Sequence, residues 1–361
     1  MLKHSIWSVT VLLVIFCMYG SIGAKEPKSF PTKPYYLAWW EDDIAMNQTI
    51  IYSPLFHHLW ALIRDDIVEE PVQLFRPVPF LDRLNATKVK REVFPPQSYL
   101  AEVFYGYRER NIIERIQSEQ KKKIAAAVRP FSERIGDLDV LAYAGLGRDI
   151  QFPRNLFSYR KPIFFQMIEG SSFVKSFGLK YTNELGEEAM NKIRVVEYNH
   201  PDDFIIGFLL KAGEDEVFLA KIPPLTTFSK TMNYVKKRID QDARMEFFLP
   251  GDFLHIPELN MNVQALVPEL ANNGVQNESK KSWFMSKIVQ DYYLTLAVTG
   301  EAWNIQEQPF MTRNIHIKSM QLSSDRRYVL DKPFLLMLRR LGQQDPYLVV
   351  WVNDSEFMIK E

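Results

Sequence analysis

Residues Tyr328–Leu338 read YVLDKPFLLML, and this stretch decides the fold that the sequence predicts. It ends in the apolar run Phe334–Leu338, and a second apolar run, Leu348–Val352, follows after a short polar connection. Short continuous apolar runs are typical of strands that are buried on both faces. The sequence therefore predicts two fully buried strands near its C-terminal end.

Shorter apolar segments further upstream predict additional strands. Val195–Tyr198 and Phe204–Leu210 are separated by the turn sequence His200–Asp203, which is the pattern of a hairpin. Val217–Ala220 and Met245–Leu249 are two more short strand candidates. Most predicted strands thus lie in the second half of the chain.

Helical patterns occur mainly earlier. Ser53 and Pro54 are typical of a helix start, and the side chains that follow on one helical face are Leu55, His58, Leu59 and Leu62. Arg108–Ala127 and Phe228–Ile239 also show amphipathic helical spacing. The irregular segment 65–98 is predicted to be a connection with one short helix. Helices early and strands late favour an α+β fold over alternating β-α-β units.

The composition limits the possible classes of function. The chain has 361 residues, 44 Lys and Arg against 44 Asp and Glu, and 47% hydrophobic residues. These values indicate a globular protein and exclude disordered, collagen-like, coiled-coil and polytopic membrane proteins. Nucleic-acid binding needs clustered excess cations, so the neutral balance argues against a nucleic-acid partner. Cys17 is the only cysteine, which excludes a disulfide scaffold and a cysteine-based zinc site.

The N-terminus resembles a secretory signal peptide. Lys3 precedes the apolar run Val9–Tyr19, which is too short to span a bilayer, and small residues follow at Ser21–Ala24. The sequence predicts that residues 1–24 are cleaved and that residues 25–361 form one secreted, extracellular domain without a membrane segment. The alternative is an uncleaved membrane anchor.

Four Asn-x-Ser/Thr sequons predict glycosylation sites on a secreted protein. Their asparagines are Asn47, Asn85, Asn277 and Asn353. Because such triplets also occur by chance, we expect one or two of them to be unused.

The sequence contains no motif of catalytic chemistry. It has neither a Gly-rich phosphate loop nor a Gly-x-Ser-x-Gly turn. His57 and His58 are adjacent and therefore lack the i, i+4 spacing of a helical zinc pair. We expect a protein that is not an enzyme and that uses no metal and no cofactor. The basic runs Lys121–Lys123 and Lys236–Arg238 are predicted to be solvated helix faces, with contact to a sulfated glycan as the alternative.

Several segments, in order along the chain, resemble the serpin family of serine-protease inhibitors. Tyr328–Leu335 is similar to the family's Phe-x-x-Asp-His-Pro-Phe-Leu, and Thr49–Leu55 is similar to Asn-x-Phe-Phe-Ser-Pro-Leu, with Thr in place of Asn. The other matching segments are a helix at Ile112–Ile124, paired strands at Val195–Ile206 and a Leu-Pro-x-Phe entry with one extra residue at Leu249–Phe253.

The resemblance implies one serpin-like α+β domain. This domain would have a large central mixed β-sheet, smaller sheets, a helical N-terminal half and an exposed reactive-site loop between Leu296 and Asp331. A strand of the central sheet is expected near Tyr143–Phe152, although the family's Asn and Trp are absent there. In serpins a protease cleaves the loop as bait, and the N-terminal part of the loop then inserts into the central sheet as a new strand.

The start of this loop departs from the family pattern of Thr and Ala. The hinge residues are Gly300, Glu301, Ala302 and Trp303. By the family's register, the side chains that would enter the sheet are Glu301, Trp303, Ile305, Glu307 and Pro309. A slip of one residue would instead bury Asn304, Gln306 and Gln308, which is little better because these side chains would lack partners. A buried carboxylate without a partner is costly, a Trp in place of Ala overpacks by roughly 1–3 kcal/mol, and a Pro removes a ladder hydrogen bond. We therefore expect the trapping mechanism to be weak or lost.

The bait bond is expected near Met311–Ile315, and Arg313–Asn314 would suit a trypsin-like protease. The alternative is that Arg313 is an ordinary solvated loop residue. Two functions stay open: a secreted serpin-fold protein that acts by binding, as carrier, decoy substrate or signalling partner, and an active inhibitor of a trypsin-like enzyme. The expected partners are an extracellular trypsin-like serine protease or another secreted protein, and a monomer is expected.

Overall fold

A computed structural model describes eleven stretches of the chain. They are residues 35–38, 46–105, 112–123, 139–153, 157, 159–168, 170–180, 193–209, 215–241, 246–299 and 324–361. The stretches within Tyr35–Glu361 belong to one compact unit. The predicted signal peptide, residues 1–24, lies outside the described residues.

The largest sheet contains the strands that the sequence predicted most clearly. Its eight strands, numbered along the chain and given in spatial order, are β1 (Tyr35–Ala38), β2 (Thr49–Tyr52), β18 (Pro346–Val352), β17 (Phe334–Arg340), β10 (Asp215–Lys221), β9 (Asp203–Leu209), β8 (Ile193–His200) and β11 (Glu246–Phe247). Apart from the parallel pair β1–β2, neighbouring strands are antiparallel. All seven residues of β18 are buried, as are all of β17 except Arg340, which confirms the prediction of two fully buried strands.

A second sheet packs against one face of the first. Its strands, in spatial order, are β13 (Leu259–Leu266), β15 (Phe284–Thr299), β4 (Asp139–Pro153) and β3 (Tyr99–Tyr105), with the short β14 (Asn273–Gly274) also paired to β15. Leu294 of β15 and Ile150 of β4 share one buried cluster with Leu219 of β10 and Leu336 of β17. The main core therefore lies between the two sheets.

Two small sheets lie near the end of the loop segment. One has three strands in the order β16 (Arg327–Val329), β12 (Phe253–Pro257) and β7 (Ser176–Lys180), and the other is the hairpin β5 (Ile163–Gln166) and β6 (Ser171–Val174).

The described helices are α1 (Leu55–Leu62), α2 (Leu81–Ala86), α3 (Ile112–Lys123) and α4 (Phe228–Gln241). A π-helical stretch, Ile63–Val68, continues α1, and 3-10 turns occupy Arg91–Val93 and Glu278–Lys280. Helix α1 begins one residue later than predicted, because Pro54 is at the N-cap position and its carbonyl accepts from the His58 N–H at 3.1 Å. The Ser53 hydroxyl accepts a hydrogen bond from the Leu55 N–H at 3.2 Å. The predicted apolar face of α4 is buried against the outer face of the eight-stranded sheet.

The α+β class is confirmed, but two parts of the prediction need correction. Strands are not confined to the second half, because the 15-residue β4 lies early in the chain, where the resemblance had placed a strand. The prediction of a solvated face at Lys236–Arg238 is wrong for Arg238. Its side chain is 9% exposed and donates to Glu197 and, at 2.8 Å, to Asp203. Two carboxylates on the neighbouring hairpin hold this cation against the sheet.

Candidate functional site

The strand that leads into the predicted loop is β15, and it pairs in parallel with β4. Their register runs from Phe284 opposite Asp139 to Thr299 opposite Pro153, with one irregularity between Met285 and Lys287. We call the junction of these two strands the seam. Because every residue of β4 has a partner on β15, the seam is closed along its whole length.

The inner face of the seam is apolar and tightly packed. Leu296 of β15 and Ile150 and Phe152 of β4 are at most 1% exposed. The ring of Phe152 contacts the rings of Phe177 and Phe208 at centroid distances of 5.0 and 5.1 Å. Ring pairs at these distances fill the space between the sheets, so the layer beneath the seam has little room for a larger side chain.

A polar cluster joins the two strands on the outer face. Tyr143 of β4 donates its hydroxyl hydrogen to Asp291 Oδ2 of β15 at 2.9 Å. The amide of Gln120 in α3 donates to the Tyr143 hydroxyl, and the amide of Gln264 in β13 donates to Asp291 Oδ1 at 2.9 Å. We call Gln120, Tyr143, Gln264 and Asp291 the seam cluster. It links the strands β4, β13 and β15 with the helix α3.

Burial sets the protonation of the central tyrosine. Tyr143 is fully buried, and burial together with the neighbouring Asp291 carboxylate raises the pKa of its hydroxyl far above the usual range. Tyr143 therefore keeps its proton and acts as a donor to Asp291 at every physiological pH.

A buried ion pair lies behind the seam. Arg148 of β4 pairs with Asp215 of β10, whose side chain is 0% exposed, and also donates to the Ser98 hydroxyl. Burial next to this pair raises the pKa of the Tyr347 hydroxyl in β18 well above its ordinary value. The Arg148–Asp215 pair connects β4 to the eight-stranded sheet. Removing either partner would leave the other charge buried and unpaired.

The loop segment returns to described structure at Ser324, and it is firmly held there. The Ser324 N–H donates to Pro250 O at 2.7 Å, and the Phe253 N–H donates to Arg326 O at 2.9 Å. The Arg326 guanidinium donates to both oxygens of the fully buried Asp252, at 2.8 and 3.2 Å. A bidentate pair of this kind fixes both position and orientation. We call these contacts the loop anchor.

A glycine makes the loop anchor possible. Gly251 has φ of +94°, and a Cβ at this position would stand 1.8 Å from Ser324 O. It belongs to the entry Leu249–Phe253, where the sequence has one residue more than the family pattern. That longer entry forms a left-handed turn against which the end of the loop lies.

The predicted site residues divide into two groups. The residues that lie outside the described part of the chain, and so stay predictions, are the hinge residues Gly300, Glu301, Ala302 and Trp303, the loop residue Pro309, and the bait residues Arg313 and Asn314. The four sequon asparagines are described. Asn47 is exposed and Asn85 half-buried, whereas Asn277 and Asn353 are only 3% and 6% exposed.

Sequence reasoning missed the seam cluster and the loop anchor. The partners Tyr143 and Asp291 are 148 positions apart, and Arg326 and Asp252 are 74 apart. Asp291 is the only carboxylate of β15, and that is the one local signal that could have drawn attention to it.

Neither a metal centre nor a membrane span occurs in the described part of the chain. No group of three or more His, Cys, Asp or Glu side chains there is arranged to hold a metal ion. Within the same ranges, no helix has the length and apolar character needed to cross a bilayer.

The sequence matches no protein-family model and no curated protein. Solved structures do match. Native protease nexin-1 with heparin is 13% identical, with 85% of this chain and 92% of that chain covered and a TM-score of 0.52. Uncleaved ovalbumin is 11% identical, with 85% and 93% covered and a TM-score of 0.51. Serpin48 of the insect Tenebrio molitor is 8% identical, with 85% and 92% covered and a TM-score of 0.50.

The described architecture and these neighbours agree with each other. At identities this low, structural likeness speaks for the fold and not for activity. The closed seam, the anchored loop end and the similarity to solved serpins over most of the chain lead to one conclusion. The chain has the serpin fold.

Proposed function

We propose that this chain is a secreted serpin-fold protein that presents residues 300–323 to other proteins and traps proteases weakly or not at all. It acts outside the cell by protein binding or as a decoy substrate, and it works as a monomer without enzymatic activity of its own. The observation that carries the proposal is the pair of hinge side chains Glu301 and Trp303, which are predicted to turn inward directly after the closed seam. The strands of the seam pair up to Thr299 and Pro153, immediately before the hinge residue Gly300.

Trapping would require the loop to enter this seam as a new strand. The inward side chains near its start, Glu301 and Trp303, would meet the layer formed by Ile150, Phe152 and Leu296, all at most 1% exposed. An indole does not fit such a layer without displacing it. A carboxylate there would need a cation, and Arg148 of β4 is already paired with Asp215. Insertion is therefore opposed at its first step.

The proposal is tested by incubation with trypsin-like proteases. We expect cleavage within residues 300–323, no covalent complex that survives detergent and boiling, and no rise in melting temperature after cleavage. If the unaltered protein gives a detergent-stable complex as its main product, and not cleaved chain, weak trapping is refuted.

A hinge-restored variant sharpens this test. Glu301→Thr, Trp303→Ala, Glu307→Ala and Pro309→Ala together replace the inward side chains that oppose insertion, so this variant should form the detergent-stable complex. Asn304→Ala with Gln306→Ala alters only outward positions in the same register and serves as the matched control. Equal behaviour of the two variants would show that the inward side chains do not limit insertion.

The alternative function is active inhibition of a trypsin-like enzyme at Arg313–Asn314. The loop anchor favours it, because the pair of Arg326 with Asp252 fixes the chain at the C-terminal end of the predicted loop. Arg313→Ala should abolish cleavage by trypsin-like enzymes at this bond. If cleavage persists elsewhere in the loop, Arg313 is an ordinary loop residue.

A further inference from the structure

The four sequons differ in whether their asparagines are free to carry a sugar. An N-linked glycan replaces one hydrogen on Nδ2, is bulky and must project into solvent. A sequon asparagine whose amide is held inside the fold cannot meet this requirement in the folded protein. The side-chain environments of Asn47, Asn85, Asn277 and Asn353 therefore decide which sequons the folded chain tolerates with a glycan attached.

The side-chain amide of Asn277 hydrogen-bonds the distant segment 71–73. Its Oδ1 accepts from the Gln73 N–H at 2.7 Å, and its Nδ2 donates to Pro71 O at 3.0 Å. The residue is 3% exposed. The amide thus makes the two hydrogen bonds that a neighbouring strand would otherwise make to the irregular segment before α2. It is buried and does not face solvent.

Asn85 hydrogen-bonds the same segment at Val72. Its Nδ2 donates to Val72 O at 2.9 Å, and its Oδ1 accepts from the Val72 N–H at 3.2 Å and from Trp60 Nε1 at 3.1 Å. Trp60 is 1% exposed. Although Asn85 is only half-buried as a residue, its amide faces inward and is held at three points.

Asn273 shows that this use of asparagine is structural. It is not part of a sequon, yet its Oδ1 accepts from the Arg76 N–H at 2.9 Å and its Nδ2 donates to Arg76 O at 3.0 Å. It is 1% exposed. Two sequon asparagines and one ordinary asparagine therefore hold residues 71–76 by the same two-point bond.

Asn353 is also buried. It is 6% exposed, its Nδ2 donates to Asn47 O at 3.2 Å, and its backbone N–H donates to the Thr49 hydroxyl at 3.1 Å. Asn47 differs from it, because Asn47 contributes its backbone carbonyl to this contact while its residue is exposed.

We propose that Asn47 is the single N-glycan acceptor of the folded chain, and that Asn85, Asn277 and Asn353 are structural asparagines. This inference rests on the proposed secretory route, because glycans of this kind are added to chains that enter that pathway. A chain that received a glycan at Asn85, Asn277 or Asn353 would have to house a bulky sugar where that amide lies inside the fold, and would fail to reach the native structure.

The experiment expresses the protein in a eukaryotic secretory system with residues 1–24 replaced by the leader of another secreted protein. The secreted, folded protein is treated with a peptide N-glycosidase that converts each glycan-bearing Asn to Asp, and the four sequon peptides are identified by mass. We expect one glycan, at Asn47, and its loss in Asn47→Gln.

Matched controls remove the other sequons without touching their asparagines. Thr87→Ala, Ser279→Ala and Ser355→Ala should each leave the glycan content of the secreted protein unchanged. A glycan on Asn85, Asn277 or Asn353 of the folded protein, or an unmodified Asn47, overturns the inference. A parallel expression with the chain's own residues 1–24 tests the secretory route separately, because failure of export there contradicts only the proposed function.

Discussion

Among single residues, Gly251 has the most direct consequence for the loop. Its φ is +94°, and a Cβ added to it would stand 1.8 Å from Ser324 O, so any side chain there is both strained and obstructed. We expect Gly251→Ala to lower the free energy of unfolding by more than the roughly 1–3 kcal/mol of backbone strain alone. Denaturant unfolding measures this loss.

Gly170→Ala is the matched control for this substitution. Gly170 has φ of +97°, and nothing lies within 4 Å of its Cβ position, so alanine there introduces backbone strain without a collision. The difference between the two losses of unfolding free energy measures the cost of the collision with Ser324 O. Equal losses would mean that the end of the loop moves aside freely and that the loop anchor is weak.

At the scale of secondary-structure elements, the seam cluster should hold β15 and β4 together. Tyr143→Phe keeps the ring but removes the bond to Asp291 across the seam. We expect unfolding free energy to fall by about 1–2 kcal/mol, and amide hydrogen exchange in β15 near Asp291 to accelerate, because local opening of the seam becomes easier. Exchange monitored by mass spectrometry or NMR measures the second effect.

Tyr292→Phe separates opening of the seam from general loss of stability. The Tyr292 hydroxyl donates to Gln290 of the same strand at 2.8 Å, so its removal breaks no bond between β15 and β4. This variant should lose stability without selective acceleration of exchange at the seam. If both variants accelerate exchange equally, the seam cluster has no special part in keeping the strands closed.

The elements also show what sequence could and could not predict. Phe228–Ile239 and Phe334–Leu338 were predictable because the pattern that defines each lies within a few neighbouring positions. The 16-residue strand β15 was not predicted, since Lys287 and Asp291 interrupt its apolar run. The seam cluster was beyond prediction for a different reason. Its members come from α3, β4, β13 and β15, and only the folded sheet places them side by side.

For the molecule as a whole, the buried histidines His58 and His255 make the unfolding free energy depend on pH. His58 lies beside Phe94 and Tyr99, and burial, reinforced by Arg91 and opposed by Asp66, lowers the pKa of its imidazole below the usual value. His255 Nε2 lies 2.6 Å from Ser176 Oγ and 2.7 Å from Lys161 O. Burial lowers the pKa of His255 as well, against the raising effects of Lys161 O and Asp331. Both are therefore neutral in the folded protein near pH 7.

The sign of the pH effect follows from these lowered values. An unfolded histidine takes up a proton near pH 6.5, whereas the folded protein resists protonation until the pH is lower. Between these two pKa values the unfolded state binds more protons than the folded state. The stabilising contribution of each histidine is therefore fully present above about pH 6.5 and decreases as the pH falls. Each histidine can contribute a slope of at most about 1.4 kcal/mol per pH unit.

We therefore expect the unfolding free energy to fall between pH 7.5 and pH 5.5, and the double variant His58→Phe with His255→Gln to show a smaller fall than the unaltered protein. Phenylalanine suits the aromatic surroundings of His58, and glutamine keeps a donor for Lys161 O. His200→Gln is the control substitution, because His200 is an exposed histidine at the end of β8. Denaturant titrations at a series of pH values measure the slopes. A double variant as pH-sensitive as the unaltered protein would assign the effect to other groups, and with it the claim that both imidazoles are held neutral by the fold would fail.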